Sequence, residues 1–316
     1  HRDRPRPCGD REARSRARPR GTYFGELERA WGQRYGNRCP VFRPDRLGPV
    51  GMSAPSVAEK IAEGRASGRG TVVGYLPLGF PDVDTSVEAA VALADEGFDV
   101  LELGIPYSDP VMDGPVISRA THRALDGGFR LKQLFPALKH ITDRIDIPVL
   151  VMTYWNPVVQ YGVERFTTDL LAAGGKGLIT PDLIPDEAKQ WLEVSETLGA
   201  ERVFLAAPSS SDERLLRAIE VSRGFVYAVS TMGITGARED VDQAAKALVS
   251  RLREQGADSV CVGLGISTGG QVQEVLSYAD GAIIGSALVK ALDNGGLEEL
   301  RSVASGLTRP TELHAR

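Results

Sequence analysis

Glu102 lies in the run Asp99-Val100-Leu101-Glu102-Leu103-Gly104, a carboxylate in an otherwise apolar, β-rich stretch. Burying a carboxylate is costly unless it is paired or put to use, so Glu102 either answers a basic neighbour or does chemistry. Further on, Asp113 precedes Gly114-Pro115 in the turn-rich segment Ile105-Pro-Tyr-Ser-Asp-Pro-Val-Met-Asp-Gly-Pro115. By residue type alone Asp113 reads as a turn former, as does Asp109 before Pro110. If the segment folds over the end of the preceding strand, Asp113 faces the same substrate as Glu102. Two carboxylates at one mouth suit proton transfer, one as acid/base and the other as a stabiliser of developing charge.

A second constellation is made of glycine. Val262-Gly263-Leu264-Gly265-Ile266-Ser267 and Ile284-Gly285-Ser286 each close a short apolar run, and a helical pattern begins near Ala287. Backbone N–H groups at such ends, together with a helix N-terminus, can hold a phosphate, and Ser286 could add a hydroxyl. The same glycines also suit ordinary tight turns. A third loop, Met232-Gly-Ile-Thr-Gly236, fits either a closing lid or a plain connection. No metal site is expected: the histidines at 1, 122, 140 and 314 share no ligand spacing, and His122 and His140 fall on outer helices. Cys261 reads as a small buried hydrophobe. The residues alone therefore describe an acid–base enzyme acting on a phosphorylated small molecule.

These groups need a scaffold. Short, nearly continuous apolar runs at 71–76, 99–103, 148–153, 177–180, 202–206, 225–230, 259–262 and 281–284 suit parallel strands covered on both faces. Amphipathic helical patterns separate them. One carries Val87, Ala90, Val91 and Ala94 behind a Thr85/Glu88 capping box, another Ala188, Trp191 and Leu192 before Gly199. Ser210 and Glu213 cap a third, with Leu215, Leu216 and Ile219, and Val272, Val275 and Leu276 mark a fourth. Eight βα units predict an α/β fold closed as a (β/α)8 TIM barrel; a doubly wound open sheet is the alternative, since local pattern does not count closure. The connection 104–147 is the longest and holds a loop plus two helical patterns, so it is where barrel chemistry is first sought.

The chain has 316 residues, 42% hydrophobic and 25% charged, which excludes collagenous and wholly disordered readings. No run is long enough to span a bilayer, and three cysteines make no disulfide framework. The net charge of −5 makes no case for nucleic acid, but it averages unlike parts. Residues 1–51 hold thirteen Arg, no Lys and six acids, a charge of +7, whereas 52–316 hold 24 basic and 36 acidic residues, a charge of −12. Segment 1–51 is rich in Arg and Pro and has no apolar period, so it is expected to be a disordered extension. A basic arm or a transit peptide fits it less well than translation from too far upstream, because Met52 is the first methionine and precedes the first helical pattern, 56–63. The catalytic barrel is expected at 52–316.

The segment Leu101-Glu-Leu-Gly-Ile-Pro-Tyr-Ser-Asp-Pro-Val-Met-Asp-Gly-Pro115 closely resembles the signature of tryptophan synthase alpha subunits. Gly79-Phe-Pro-Asp82, Met152-Thr-Tyr-Trp-Asn-Pro157, Pro181-Asp-Leu-Ile-Pro185, Ala207-Pro-Ser209, Gly233-Ile-Thr-Gly236, Gly263-Leu-Gly-Ile-Ser267 and Gly285-Ser286 continue it in order, across about 55–305. Tyr107 stands where many relatives have Phe. The resemblance implies a (β/α)8 barrel that cleaves indole-3-glycerol phosphate to indole and glyceraldehyde 3-phosphate by a retro-aldol reaction. It implies Glu102 as general acid/base and Asp113 as the carboxylate that hydrogen-bonds the indole N–H. It also implies Gly236, Gly265, Gly285 and Ser286 at the phosphate, and Phe80, Tyr154 and Tyr227 around the substrate. It further implies a cytoplasmic alpha2beta2 tetramer with a beta subunit that receives indole through a tunnel and carries the pyridoxal phosphate, this chain having no cofactor. The loops after the second and sixth strands would close the site and face that partner. Two rival readings are another phosphate-binding barrel, such as an indole-glycerol-phosphate synthase or a sugar-phosphate isomerase, which lacks this loop after the second strand, and a non-catalytic activator of the beta chain, against which Glu102 and Asp113 both argue.

Overall fold

The structure is a computed structural model that describes residues 54–229, 238–263 and 265–309. The extension 1–51 and the lid and phosphate candidate Gly236 lie outside the described residues. From the N-terminal side, helix α1 (Val57–Ala66) precedes β1 (Thr71–Pro77), α2 (Val83–Asp95) and β2 (Val100–Gly104). The long connection carries α3 (Pro115–Asp126) and α4 (Leu134–Thr142) and leads to β3 (Val149–Met152), α5 (Trp155–Tyr161), α6 (Val163–Ala172) and β4 (Gly177–Ile179). Then come α7 (Lys189–Leu198), β5 (Glu201–Val203), β6 (Leu205–Ala206), α8 (Asp212–Val221), β7 (Val226–Val229) and α9 (Arg238–Glu254). The described chain ends with β8 (Val260–Gly263), α10 (Gly269–Leu276), β9 (Gly281–Ile284) and α11 (Ser286–Thr308).

Every strand pairing is parallel. The order is β5-β4-β3-β2-β1-β9-β8-β7-β6, so the two ends of the sheet are consecutive in sequence. They are halves of one stretch parted by Phe204, whose carbonyl accepts the N–H of Tyr227 at 3.0 Å. One broken strand thus serves both edges, and the sheet closes as a (β/α)8 TIM barrel with no free edge. The eight expected strands are present, the fifth in two pieces.

Strand alternation sends every second residue inward. Val73, Val100, Leu150, Ile179, Val203, Phe225, Cys261 and Ile283 meet in the interior, and Val57 and Ile61 of α1 pack among them. Helix α1 therefore plugs the N-terminal end of the barrel. Its start carries the Ser56/Glu59 capping box, and the Glu201 carboxylate accepts the N–H groups of Val57 and Ala58 at 3.1 and 3.2 Å. The outward strand residues and the helices make the larger cluster around the barrel.

Two helix starts differ from expectation. Asp82 caps α2 by accepting the Thr85 N–H at 2.8 Å, while Glu88 pairs with Arg144 across the surface. Asp reaches a backbone N–H three residues on as readily as Thr does, and it stands at the strand exit. Ser211, one residue later than expected, caps α8. Helix α5, directly after β3, was not anticipated. Among the described residues no helix is long and apolar enough to cross a membrane.

Candidate active site

One inward position above the apolar interior, toward the C-terminal strand ends, the residues change character. Tyr75 of β1 is the register partner of Glu102 of β2, and Tyr227 rises from β7. Both tyrosines lean toward the mouth: a Cβ on Gly104 would lie 2.2 Å from the Tyr75 hydroxyl, and one on Gly263 would lie 2.7 Å from that of Tyr227. Each glycine leaves its space to a phenol from the neighbouring strand.

Glu102 is 1% exposed, and neither carboxylate oxygen has a hydrogen-bond partner among the described residues. Burial alone pushes its pKa up to about 8. The contrast with other buried acids is direct. Asp99, three residues earlier, takes Arg69 at 3.0 and 2.6 Å and the Val72 N–H at 2.9 Å. Asp280 takes the Val260 N–H at 2.7 Å together with Arg65 and Arg253. Those acids are paired, as structural carboxylates in a protein interior must be; Glu102 is not.

Asp113 reaches the same mouth from the loop after β2. Burial raises its pKa to about 6, against a hydrogen bond from the Tyr154 hydroxyl at 3.4 Å that favours the charged form. The Tyr75 hydroxyl is held well above its ordinary range by burial, then by the charges of Asp113 and Glu102, so one phenol feels both carboxylates. Burial also raises Tyr227, with Glu102 the next cause. Between about pH 6 and 8, then, the deep carboxyl is protonated and the mouth carboxyl ionised.

At the glycine-rich ends, Gly265 takes φ +65°, a conformation that glycine adopts without strain. Helix α10 is satisfied internally, its Thr268 cap reciprocated by Gln271, which also accepts the Ser267 N–H at 2.7 Å. Helix α11 starts at Ser286 behind Gly285 with no side-chain cap, so its first N–H groups are left for another acceptor. A Cβ on Gly285 would meet Tyr75 Cδ1 at 3.3 Å, which places this helix start beside the mouth. Phe80, on the loop after β1, is buried with the Arg123 guanidinium 4.9 Å from its ring centroid.

Tyr75 was missed by sequence reasoning, although the period-two pattern Val73-Gly74-Tyr75 marks it as inward-facing. Asp182 was missed as well: it accepts the Trp155 N–H at 2.9 Å and anchors the start of α5. Among the described residues no group of three or more His, Cys, Asp or Glu is placed to hold a metal.

Residues 61–314 match the family described as "Tryptophan synthase alpha chain". The tryptophan synthase alpha chain of Leifsonia xyli subsp. xyli is 64% identical over 253 residues, 80% of this chain and 97% of that one. That of Mycobacterium avium is 56% identical over 262 residues, 83% of this chain and 93% of that one. Among solved structures, the aminoacrylate-bound form of tryptophan synthase from M. tuberculosis superposes with a TM-score of 0.74 at 49% identity, covering 80% of this chain and 98% of that one. The tryptophan synthase A-subunit of Pyrococcus furiosus gives 0.70 at 35% identity, over 75% and 97%.

Proposed function

The chain belongs to the tryptophan synthase alpha chain family, and from that premise we propose how its barrel mouth performs the family's reaction. The chain is a lyase of tryptophan biosynthesis: it cleaves indole-3-glycerol phosphate to indole and glyceraldehyde 3-phosphate, and indole passes to a beta subunit. In this retro-aldol step the bond from ring carbon C3 to the glycerol chain breaks and its electron pair restores the indole. The hydroxyl on the departing carbon loses its proton and becomes the aldehyde. One proton enters at C3 and one leaves the hydroxyl, so a single carboxyl can serve both steps and end as it began.

Glu102 fills that role. The observation that carries the reading is its burial with both oxygens unpaired, which keeps the acid protonated at neutral pH and leaves its proton free for the ring. Asp113, ionised at that pH, accepts the indole N–H and stabilises the positive charge that ring protonation creates. Tyr75, Tyr154 and Tyr227 flank the indole, and Phe80, from the loop after β1, completes the pocket. The start of α11, through Gly285 and Ser286, binds the phosphate together with Gly265 and Gly236.

The ring protonated at C3 itself takes up the electron pair of the breaking bond, so the step calls on no cofactor as electron sink, which supports placing the pyridoxal phosphate on the beta subunit alone. Alpha chains of this family work with a beta subunit. Val111, Val159 and Ile184 are exposed large apolar residues in the segments that follow β2, β3 and β4. We place the beta subunit against them, within an alpha2beta2 tetramer. A phosphorylated substrate stays in the compartment that makes it, which supports a cytoplasmic setting. The catalytic domain is 52–316, in line with the family match over 61–314.

The test is indole release from indole-3-glycerol phosphate by the purified chain, alone and with a beta subunit. Release is expected in both, and Asp113→Asn should cost about 10²-fold or more in kcat. A wild-type chain inert in both settings, or an Asp113→Asn variant at full rate, would refute the assignments.

A further inference from the structure

Asp113 lies at the end of a stretch, 105–114, that contains no helix or strand. Two turn bonds fold it locally, from the Val111 N–H to Asp109 O at 3.0 Å and from the Asp113 N–H to Pro110 O at 3.1 Å. The Ile105 N–H ties the start of the stretch to β3, donating to Met152 O at 2.9 Å, but neither turn bond fixes the end that carries Asp113 against the barrel. That task falls to Tyr154, the residue preceding α5, which is buried and anchored because Asp182 holds the first N–H of its helix. The loop touches Tyr154 at three points. The Met112 N–H donates to its hydroxyl at 2.8 Å, the same hydroxyl donates to Asp113 Oδ1 at 3.4 Å, and the Tyr107 ring stacks on it with centroids 5.0 Å apart and planes at 24°. The Tyr107 hydroxyl in turn accepts from Asn156 Nδ2 at 3.3 Å, so ring and hydroxyl both tie to the segment that carries Tyr154.

We propose that Tyr107 is a positioning residue for cleavage, holding the Tyr154 ring so that one hydroxyl secures both the Met112 N–H and the Asp113 carboxylate. The reason is geometric. A tyrosine hydroxyl sits at the far end of a lever, and a small swing about χ1 moves it by more than a hydrogen bond tolerates. Stacked aromatic rings resist that swing, because it would pull the two faces out of contact. The groups around Asp113 are the Tyr154 phenol, just before α5, and the Tyr75 phenol of β1; Tyr75 also feels Glu102 of β2, and Tyr154 also feels Asp182. Of these, the Tyr154 hydrogen bond favours the charged carboxylate, so loss of the clamp is read at Asp113.

This inference rests on the reading of Asp113 as a carboxylate that works ionised. The experiment is the pH profile of kcat/KM for indole release by the complex with the beta subunit. Wild type, Tyr107→Phe, Tyr107→Ala, Tyr154→Phe, the Tyr107→Ala/Tyr154→Phe double variant and Asp113→Asn are compared. Tyr107→Ala should lower kcat about tenfold, as expected for a misplaced catalytic group, and move the acid limb to higher pH. Tyr107→Phe keeps the stack and should leave the limb in place. Since Tyr107 acts through Tyr154, the double variant should move the limb no further than Tyr154→Phe alone. An acid limb unmoved in Tyr107→Ala, or shifts that add in full, would overturn the clamp. A limb that persists in Asp113→Asn would overturn the reading of Asp113, and the clamp with it.

Discussion

Replacing Glu102 by Gln should make the protein inactive and more stable, and the gain should grow with pH. The carboxyl ionises near 8 in the folded chain against an ordinary 4.5, through burial without a partner. A pKa raised on folding stabilises fully below the unfolded value of 4.5, and that contribution is lost as the pH climbs through 8. Each unit of difference is worth about 1.4 kcal/mol, so the full loss is about 5 kcal/mol, of which about 3 kcal/mol is already felt at pH 7. Glutamine has the same shape and no charge, so it shares the burial of the protonated acid but not its titration. All other groups titrate alike in both proteins and cancel in the difference. Urea unfolding from pH 4 to 9 should therefore give two curves that run parallel below about pH 4.5 and diverge above it. At pH 7 the midpoint of Glu102→Gln should be higher by about 1 M. Indole release measured on the same samples should be lost. Curves that stay parallel to pH 9 would mean that Glu102 is paired or hydrated in solution, and the argument for its proton would fail.

Wild-type kcat/KM should trace a bell. It should fall below about pH 6 as Asp113 gains a proton and above about pH 8 as Glu102 loses one, so a flat profile from 5 to 9 would contradict both assignments. Gly104→Ala would set a Cβ 2.2 Å from the Tyr75 hydroxyl. The ring must then swing into the mouth, and kcat/KM should drop about tenfold or more while circular dichroism keeps its native form. The double variant Gly104→Ala/Tyr75→Phe should recover part of the loss, and no recovery would show that the clash lies elsewhere.

What could be read along the chain was whatever depends on near neighbours. Apolar runs parted by helical patterns revealed eight βα units, because strand and helix periods are written in consecutive residues. The ordered loop motifs located Glu102, Asp113 and the glycine-rich ends, since barrel loops occur once per repeat. The start of α2 eluded the pattern because Asp82 and Thr85 can both cap, and the choice turns on where the preceding strand releases the chain.

Asp99 and Glu102 show where local reading stops. They are three residues apart in one apolar run, each a buried acid. Arg69, thirty residues before Asp99, answers one carboxylate at the bottom of the barrel, while among the described residues nothing pairs with Glu102. That difference is one of strand face and height, set when β1 pairs beside β2. The same holds for Tyr75, whose phenol enters the mouth only because the neighbouring strand offers Gly104, and for Tyr107, whose partner lies across the loop after β3. Sequence by itself determined the repeat, the motifs and the family they resemble. Closure through Phe204 and the pairing or isolation of each buried charge were decided by tertiary structure, because both depend on which distant residues share a layer of the barrel.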